Sequence, residues 1–175
     1  MYEIRIHSRG GQGGVTAARL LALAAFRDGK YATAFPFYGA ERRGAPVVSF
    51  VRIDDRQIRV YSMIEKPDLV IVLDSSVMET VDVMHGLKPD GKIIVNSAYP
   101  LEVGGKKAST VDLTGIALNV GLVVAGSPVL NTAVIGALAK MGTISFESAK
   151  QAIKEMFSDE RNISAASLAF SEVNI

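Results

Sequence analysis

The stretch Ser8-Arg9-Gly10-Gly11-Gln12-Gly13-Gly14 limits what this chain can fold into more than any other. Upstream, Tyr2, Ile4 and Ile6 alternate with Glu3, Arg5 and His7, the period of a half-buried strand. Downstream, Val15, Ala18, Leu21, Ala22 and Ala25 recur at helical spacing through Phe26, and Gly29 supplies a stop. A strand, a glycine loop and a helix in that order begin an α/β fold, and the rest of the chain must pack around such a unit.

Four glycines in positions 10 to 14 free the backbone for positive φ and remove the side chains that would keep a ligand from the amides. With the unpaired N–H groups of the first helical turn, such a loop suits a phosphate or carboxylate. Arg9 can add a charge-assisted contact, and Gln12 can both donate and accept. The alternative is a tight crossover that binds nothing. The dinucleotide fingerprint is not met: its glycine spacing differs, and the second strand, Tyr31 to Phe35, runs into Pro36-Phe37-Tyr38 without a carboxylate at its tip. No lysine follows the loop until Lys30, which counts against a P-loop.

The 175 residues suit a single domain spanning 1–175, and 49% apolar against 21% charged fits a sheet covered on both faces or a surface given over to partners. A net charge of +1 argues against a nucleic-acid partner. The absence of cysteine rules out disulfides, a thiolate nucleophile and cysteine-ligated clusters in this chain. Two histidines, His7 and His85, do not make a histidine-rich metal site, and His7 reads as a polar residue at a strand end or as a base. No apolar run approaches the ~20 residues of a membrane span, and the N-terminus lacks a signal peptide's pattern, so a cytoplasmic protein without a membrane partner is expected.

Taken in order, the second strand leads into Pro36-Phe37-Tyr38-Gly39-Ala40-Glu41-Arg42-Arg43-Gly44-Ala45-Pro46. Arg42 and Arg43 beside Glu41, Phe37 and Tyr38 can grip a phosphate and stack a flat ring, or form a solvated charge cluster. Val47 to Ile53 reads as a third strand that turns at Asp54-Asp55 into Gln57 to Tyr61, an antiparallel hairpin inserted in an otherwise alternating chain. Leu69 to Leu73, five consecutive apolar residues, marks a central parallel strand. Asp74, Ser75 and Ser76 at its end either cap the next helix, expected over Val77 to Leu87, or face a ligand. Ile93 to Val95 and the stretch around Ser109-Thr110-Val111 are further strands, and Leu113 to Asn119 is a helical turn. Ser127 and Pro128 look like the cap and first residue of a helix whose polar residues, Asn131 and Thr132, form a polar packing face or touch a ligand. Phe146 to Met156 and Ala165 to Phe170 complete the helices. The fold class is thus α/β, three-layer and Rossmann-like, with a mostly parallel sheet, helices on both faces and an inserted antiparallel hairpin.

Arg9-Gly10-Gly11-Gln12-Gly13, the segment centred on Gly39-Ala40-Glu41-Arg42-Arg43-Gly44-Ala45-Pro46, and Asn131-Thr132-Ala133 together closely resemble the gamma subunit of the pyruvate (2-oxoacid):ferredoxin oxidoreductases, in order and spacing over nearly the whole chain. Ser8 departs from the family, which often has glycine there. The resemblance implies a subunit of an enzyme that converts a 2-oxoacid and coenzyme A to acyl-coenzyme A, carbon dioxide and reduced ferredoxin. Thiamine diphosphate, Mg and iron–sulfur clusters would belong to partner subunits, with ferredoxin as acceptor of the complex and coenzyme A associated with this chain. It further implies that Gly10, Gly11, Gln12, Gly13 and Gly14 cradle the pyrophosphate, aided by Arg9. Arg42 and Arg43, oriented by Glu41, would meet phosphate charge or the interface near the thiamine site, with Asn131 and Thr132 near the same crevice. Glu41-Arg42-Arg43-Gly44 looks more like pyruvate or branched-chain members than 2-oxoglutarate ones. A purely structural subunit remains open. A free-standing nucleotide-binding protein is disfavoured by the lack of a general base, nucleophile or metal cluster, so no catalytic residue is expected here.

Overall fold

A computed structural model describes residues 1–37 and 44–175. In chain order the elements are β1 (Tyr2–Arg9), α1 (Gly14–Arg27), β2 (Tyr31–Phe37), β3 (Pro46–Asp54), β4 (Leu69–Val72), a 3₁₀ helix (Ser75–Glu79) and β5 (Lys92–Asn96). There follow β6 (Glu102–Val103), β7 (Lys106–Lys107), β8 (Ser109–Val111), α2 (Leu113–Asn119), β9 (Val123–Val124), β10 (Ser127–Pro128), α3 (Asn131–Lys140), α4 (Phe146–Met156) and α5 (Arg161–Glu172). The main sheet runs β2-β3-β1-β4-β5-β8. Parallel pairing joins β1, β4, β5 and β8, with Ile4 opposite Leu69 and Ile71 opposite Ile94. β3 runs antiparallel between β1 and β2, with Tyr2 opposite Ile53 and Phe35 opposite Phe50.

Side-chain alternation divides the core in two. Ile4, Ile6, Val51, Leu69, Ile71 and Ile94 point to one face, where they meet the buried stripes of α1 to α5. Val70, Val72, Ile93 and Val95 point to the other, where Val77 of the 3₁₀ helix, Val83 and Ala108 cover them. Helices therefore lie on both faces, the α-helices on one and the 3₁₀ helix with its following turns on the second. β4 is buried from end to end because both of its faces are covered. Each fully buried Leu, Ile or Val contributes about 1.5–3 kcal/mol, so this central strand anchors the fold. α3 is buried along Asn131–Ala139, and at Gly136 its backbone lies so close to α5 that an added Cβ would fall 1.9 Å from the carbonyl oxygen of Ala166.

Three sequence expectations are corrected. Gln57 to Tyr61 form no strand, because β3 already has β1 on one side and β2 on the other and offers no free edge. The hairpin in the sheet is β2–β3, and the coil after β3 instead tucks in Ile58 and Ile64. Val77 to Leu87 is a 3₁₀ turn followed by turns rather than a helix: the carbonyls of Val83 and His85 accept from the Arg5 guanidinium at 2.9 and 2.6 Å, and Asp82 accepts from the Met84 amide. Ser127 and Pro128 lie in β10, paired with β9 across a two-residue turn in which Ala125 and Gly126 have φ of 49° and 78°. α3 starts at Asn131 instead. β2 extends through Pro36, tolerated because it is an edge strand.

Candidate functional site

In this sheet the chain leaves β1 toward β2 on one side, whereas β4 leads to β5 and β8 on the other. The carboxyl ends of β1 and β4 thus form the topological switch point, where open α/β sheets collect ligands. The glycine loop follows β1, and Asp74 to Ser76 follow β4.

The loop turns through left-handed backbone at Gly11 (φ 99°) and Gly13 (φ 87°). Gly13 is the N-cap of α1, and its carbonyl accepts from Ala17 at 2.8 Å. Gly14 has a different reason to be glycine: a Cβ there would stand 2.2 Å from the Ser8 hydroxyl oxygen. Ser8, the departure from the family pattern, is buried and fills that space. α3 arrives at the same place. The Leu130 amide donates to the Gln12 carbonyl at 3.3 Å, and a Cβ on Gly13 would meet the Asn131 side chain at 3.0 Å. Two helix N-termini, those of α1 and α3, therefore converge on Gln12 and Gly13, and their partial positive charges add. Among the described residues the amides of Gly11, Gly13 and Gly14 have no partner. They border a cleft of about 330 Å³ between Ser8–Gly11, Gly13–Val15 and Val47. A larger cavity of about 470 Å³ at the opposite end of the sheet is lined in part by two closed ion pairs, Lys30 with Asp55 and the N-terminus with Asp54.

The side chains of Arg9 and Gln12 reach the switch point. The Gln12 side chain accepts from the Arg9 amide at 2.9 Å and donates to an Asp74 carboxylate oxygen at 2.6 Å. Arg9 donates to the Ser76 hydroxyl at 2.8 Å and to the Gly44 carbonyl at 2.9 Å, and lies 3.8 Å from Asp74. The other Asp74 oxygen accepts from the Ser76 amide at 3.0 Å and hydroxyl at 2.6 Å, so Asp74 does cap the 3₁₀ helix. Burial alone would raise the Asp74 carboxyl, but the hydrogen bonds from Ser76 and Gln12, with Arg9 nearby, hold it below its ordinary value of 3.8. The Gly10 amide donates to the Ala45 carbonyl at 3.0 Å, which joins the loop to the start of β3.

Of the residues singled out in the sequence, Gly10, Gly11, Gly13 and Gly14 line the cleft beside Arg9, and Asn131 packs against it at Gly13. Thr132 does not approach it, for its side chain is buried and donates to Asn162 on α5 at 3.2 Å. Glu41, Arg42 and Arg43 lie outside the described residues. His7 is buried beneath the sheet surface, and its Nε2 accepts from Arg5 at 3.1 Å. Burial first, then the Arg5 charge, lowers its pKa from 6.5 to about 4, so the ring is neutral at pH 7. Asn96 is occupied by the Leu73 carbonyl and Thr114. The link from Gln12 and Arg9 to Asp74 and Ser76 was not read from the sequence; the one available signal was their position after a buried central strand. Among the described residues no group of three or more His, Asp or Glu could hold a metal, and no helix is long and apolar enough to cross a membrane.

The fold and loop define a Rossmann-like α/β domain with a glycine loop at the carboxyl ends of its strands. A family described as pyruvate ferredoxin/flavodoxin oxidoreductase matches residues 3–172, and the chain belongs to that family, among the gamma subunits of its 2-oxoacid:ferredoxin oxidoreductase complexes. It is 51% identical to the pyruvate/ketoisovalerate oxidoreductases common subunit gamma of Thermococcus kodakarensis, over 98% of this chain and 97% of that protein. It is 50% identical to the pyruvate synthase subunit PorC of Methanocaldococcus jannaschii, over 99% and 97%. The crystal structure of the pyruvate oxidoreductase subunit PORC of Thermotoga maritima superposes with a TM-score of 0.84 at 35% identity, covering 99% of this chain and 97% of that one.

Proposed function

We propose that this subunit supplies part of the coenzyme A site of a cytoplasmic pyruvate:ferredoxin oxidoreductase, holding a phosphate of the coenzyme on the glycine loop. The observation that carries this reading is that two helix N-termini meet at the glycine loop, where the amides of Gly11, Gly13 and Gly14, without a partner among the described residues, border one cleft. The residues fit such a group: among the described residues nothing stands where a Cβ on Gly11 would, and Gly13 and Gly14 are held in place by Asn131 and Ser8. Gly11, Gly13 and Gly14 would donate to phosphate oxygens, while Asn131 fixes the position of the loop. Arg42 and Arg43, with Glu41, would add charge from the segment that ends at Gly44; Thr132 would act only through packing. Coenzyme A supplies the thiol that receives the acyl group. With no cysteine in the chain, iron–sulfur ligands fall to partner subunits, as would thiamine diphosphate with Mg, and electrons would leave to ferredoxin from there. Val60, Tyr61 and Met63, exposed in the coil after β3, support a chain that meets partner subunits.

The competing reading, a subunit that only organises the complex, draws on the bonds of Arg9 and Gln12 to Ser76 and Asp74. Calorimetric titration of coenzyme A and dephospho-coenzyme A into the chain, and into the complex assembled with and without it, separates the two. Saturable binding that requires this chain and weakens without the 3′-phosphate is expected. Binding by the complex that is indifferent to this chain would leave it a scaffold.

A further inference from the structure

We propose that Asp74 and Ser76 are positioning residues for the coenzyme site, acting through Gln12 and Arg9 to hold the glycine loop open over β1 and β3. This rests on the reading of the loop as the phosphate cradle. The contacts cross the switch point: Gln12 donates to Asp74 at 2.6 Å, Arg9 donates to Ser76 at 2.8 Å, and Asp74 takes both Ser76 donors. They span the ends of β1 and β4, whereas the cleft is bordered on its far side by Val47 of β3.

The brace reaches the loop at its two ends. Gln12 bridges Asp74 to the Arg9 amide, which fixes the turn across Gly10 and Gly11, and its carbonyl takes the Leu130 amide, which seats α3 against Gly13. Gly11 and Gly13, with φ of 99° and 87°, have no side chains of their own to select this conformation from the many open to glycine. The selection is made by a carboxylate just past the end of the neighbouring strand. Asp74 also sits 3.8 Å from Arg9 and partly offsets its charge at the edge of the cleft.

The bond from Gln12 to Asp74 has a direction, and this gives the test. Asp74→Asn places an amide donor against the Gln12 amide, and Gln12→Glu places carboxylate against carboxylate. The double variant Gln12→Glu/Asp74→Asn restores the bond with donor and acceptor exchanged. Glu at 12 still accepts from the Arg9 amide, Asn at 74 still accepts from Ser76, and the total charge is unchanged. Two quantities are measured on the assembled complex: hydrogen exchange of the Arg9, Gly10 and Leu130 amides, and calorimetric affinity for coenzyme A alongside its KM and that of the 2-oxoacid. Each single variant is expected to speed exchange and weaken coenzyme A about tenfold or more, without a matching rise in the KM for the 2-oxoacid; the double variant recovers most of both. If a single variant does not assemble, Ser76→Ala removes the Arg9 acceptor without leaving a buried charge and is read the same way. Exchange that rises and recovers while coenzyme A affinity never moves would overturn the proposal together with the placement of the coenzyme. Affinity that falls without faster exchange, or is not recovered in the double variant, would overturn the brace and leave that placement standing.

Discussion

Gly14→Ala tests the loop geometry directly, because the cost comes from one neighbour. A Cβ at residue 14 would lie 2.2 Å from the Ser8 hydroxyl oxygen, 2.8 Å from the Ser8 Cβ and 3.8 Å from Leu73. Rotating the hydroxyl away relieves the first contact and leaves the second, since Ser8 is held in β1 opposite Val47 and is 1% exposed. The backbone must therefore move, either at the end of β1 or at the start of α1. Overpacking of this kind costs about 1–3 kcal/mol, which in a chain of this size lowers Tm by roughly 2–12 °C. Ser8→Gly in the same chain removes both contacts and should return most of the loss; alone it should cost about 0.5–1 kcal/mol through backbone entropy. Gly11→Ala is the control, with no atom of the described residues within 4 Å but a φ of 99°, so its cost of about 1–3 kcal/mol is backbone strain that Ser8→Gly cannot relieve. Thermal unfolding of the four variants and calorimetry with coenzyme A on the assembled complex provide the readouts. A Gly14→Ala chain with unchanged Tm, or one that Ser8→Gly does not rescue, would refute the placement of the loop against β1.

Gly136→Ala sets a Cβ against the backbone of Ala166 rather than a side chain, so α5 must retreat from α3; a loss of about 3 kcal/mol in denaturant unfolding is expected, with no single partner substitution able to restore it. His7 has a folded pKa of about 4 against 6.5, so the unfolded chain binds the proton more readily and stability falls as pH drops through that window. The loss should be on the order of 2–3 kcal/mol between neutral pH and the acid end, and denaturant midpoints of a His7→Gln chain should lack that component. Asn96→Ala unties the end of β5 from the Leu73 carbonyl and from Thr114, and unfolding should show a loss of about 1–3 kcal/mol.

Much of the architecture was readable because local period and burial agree. The alternation of β1, the unbroken apolar run of β4 and the amphipathic stripe of α4 each report a face that is covered, whatever covers it. The misreadings came where the deciding partner is distant in sequence. Ile58 and Val60 alternate as a strand would, yet a strand needs a free edge, and β2 had already taken the one on β3. The residues after Val77 have helical spacing, but Arg5 claims two of their carbonyls. Pro128 suits a helix start, yet the positive φ of Ala125 and Gly126 turns the chain into a hairpin first.

The site divides along the same line. Sequence alone determined that a glycine loop joins a strand to a helix, that no cysteine can ligate a cluster here, and that the motifs are those of the oxidoreductase gamma subunits, because composition and local order are properties of neighbouring residues. Tertiary structure decided that α3 brings a second N-terminus to the loop, that Arg9 and Gln12 are bound to Ser76 and Asp74, and that Thr132 is taken by Asn162. Each of these depends on hydrogen bonds between groups far apart in the chain, whose geometry exists only once the parallel strands have aligned their carboxyl ends.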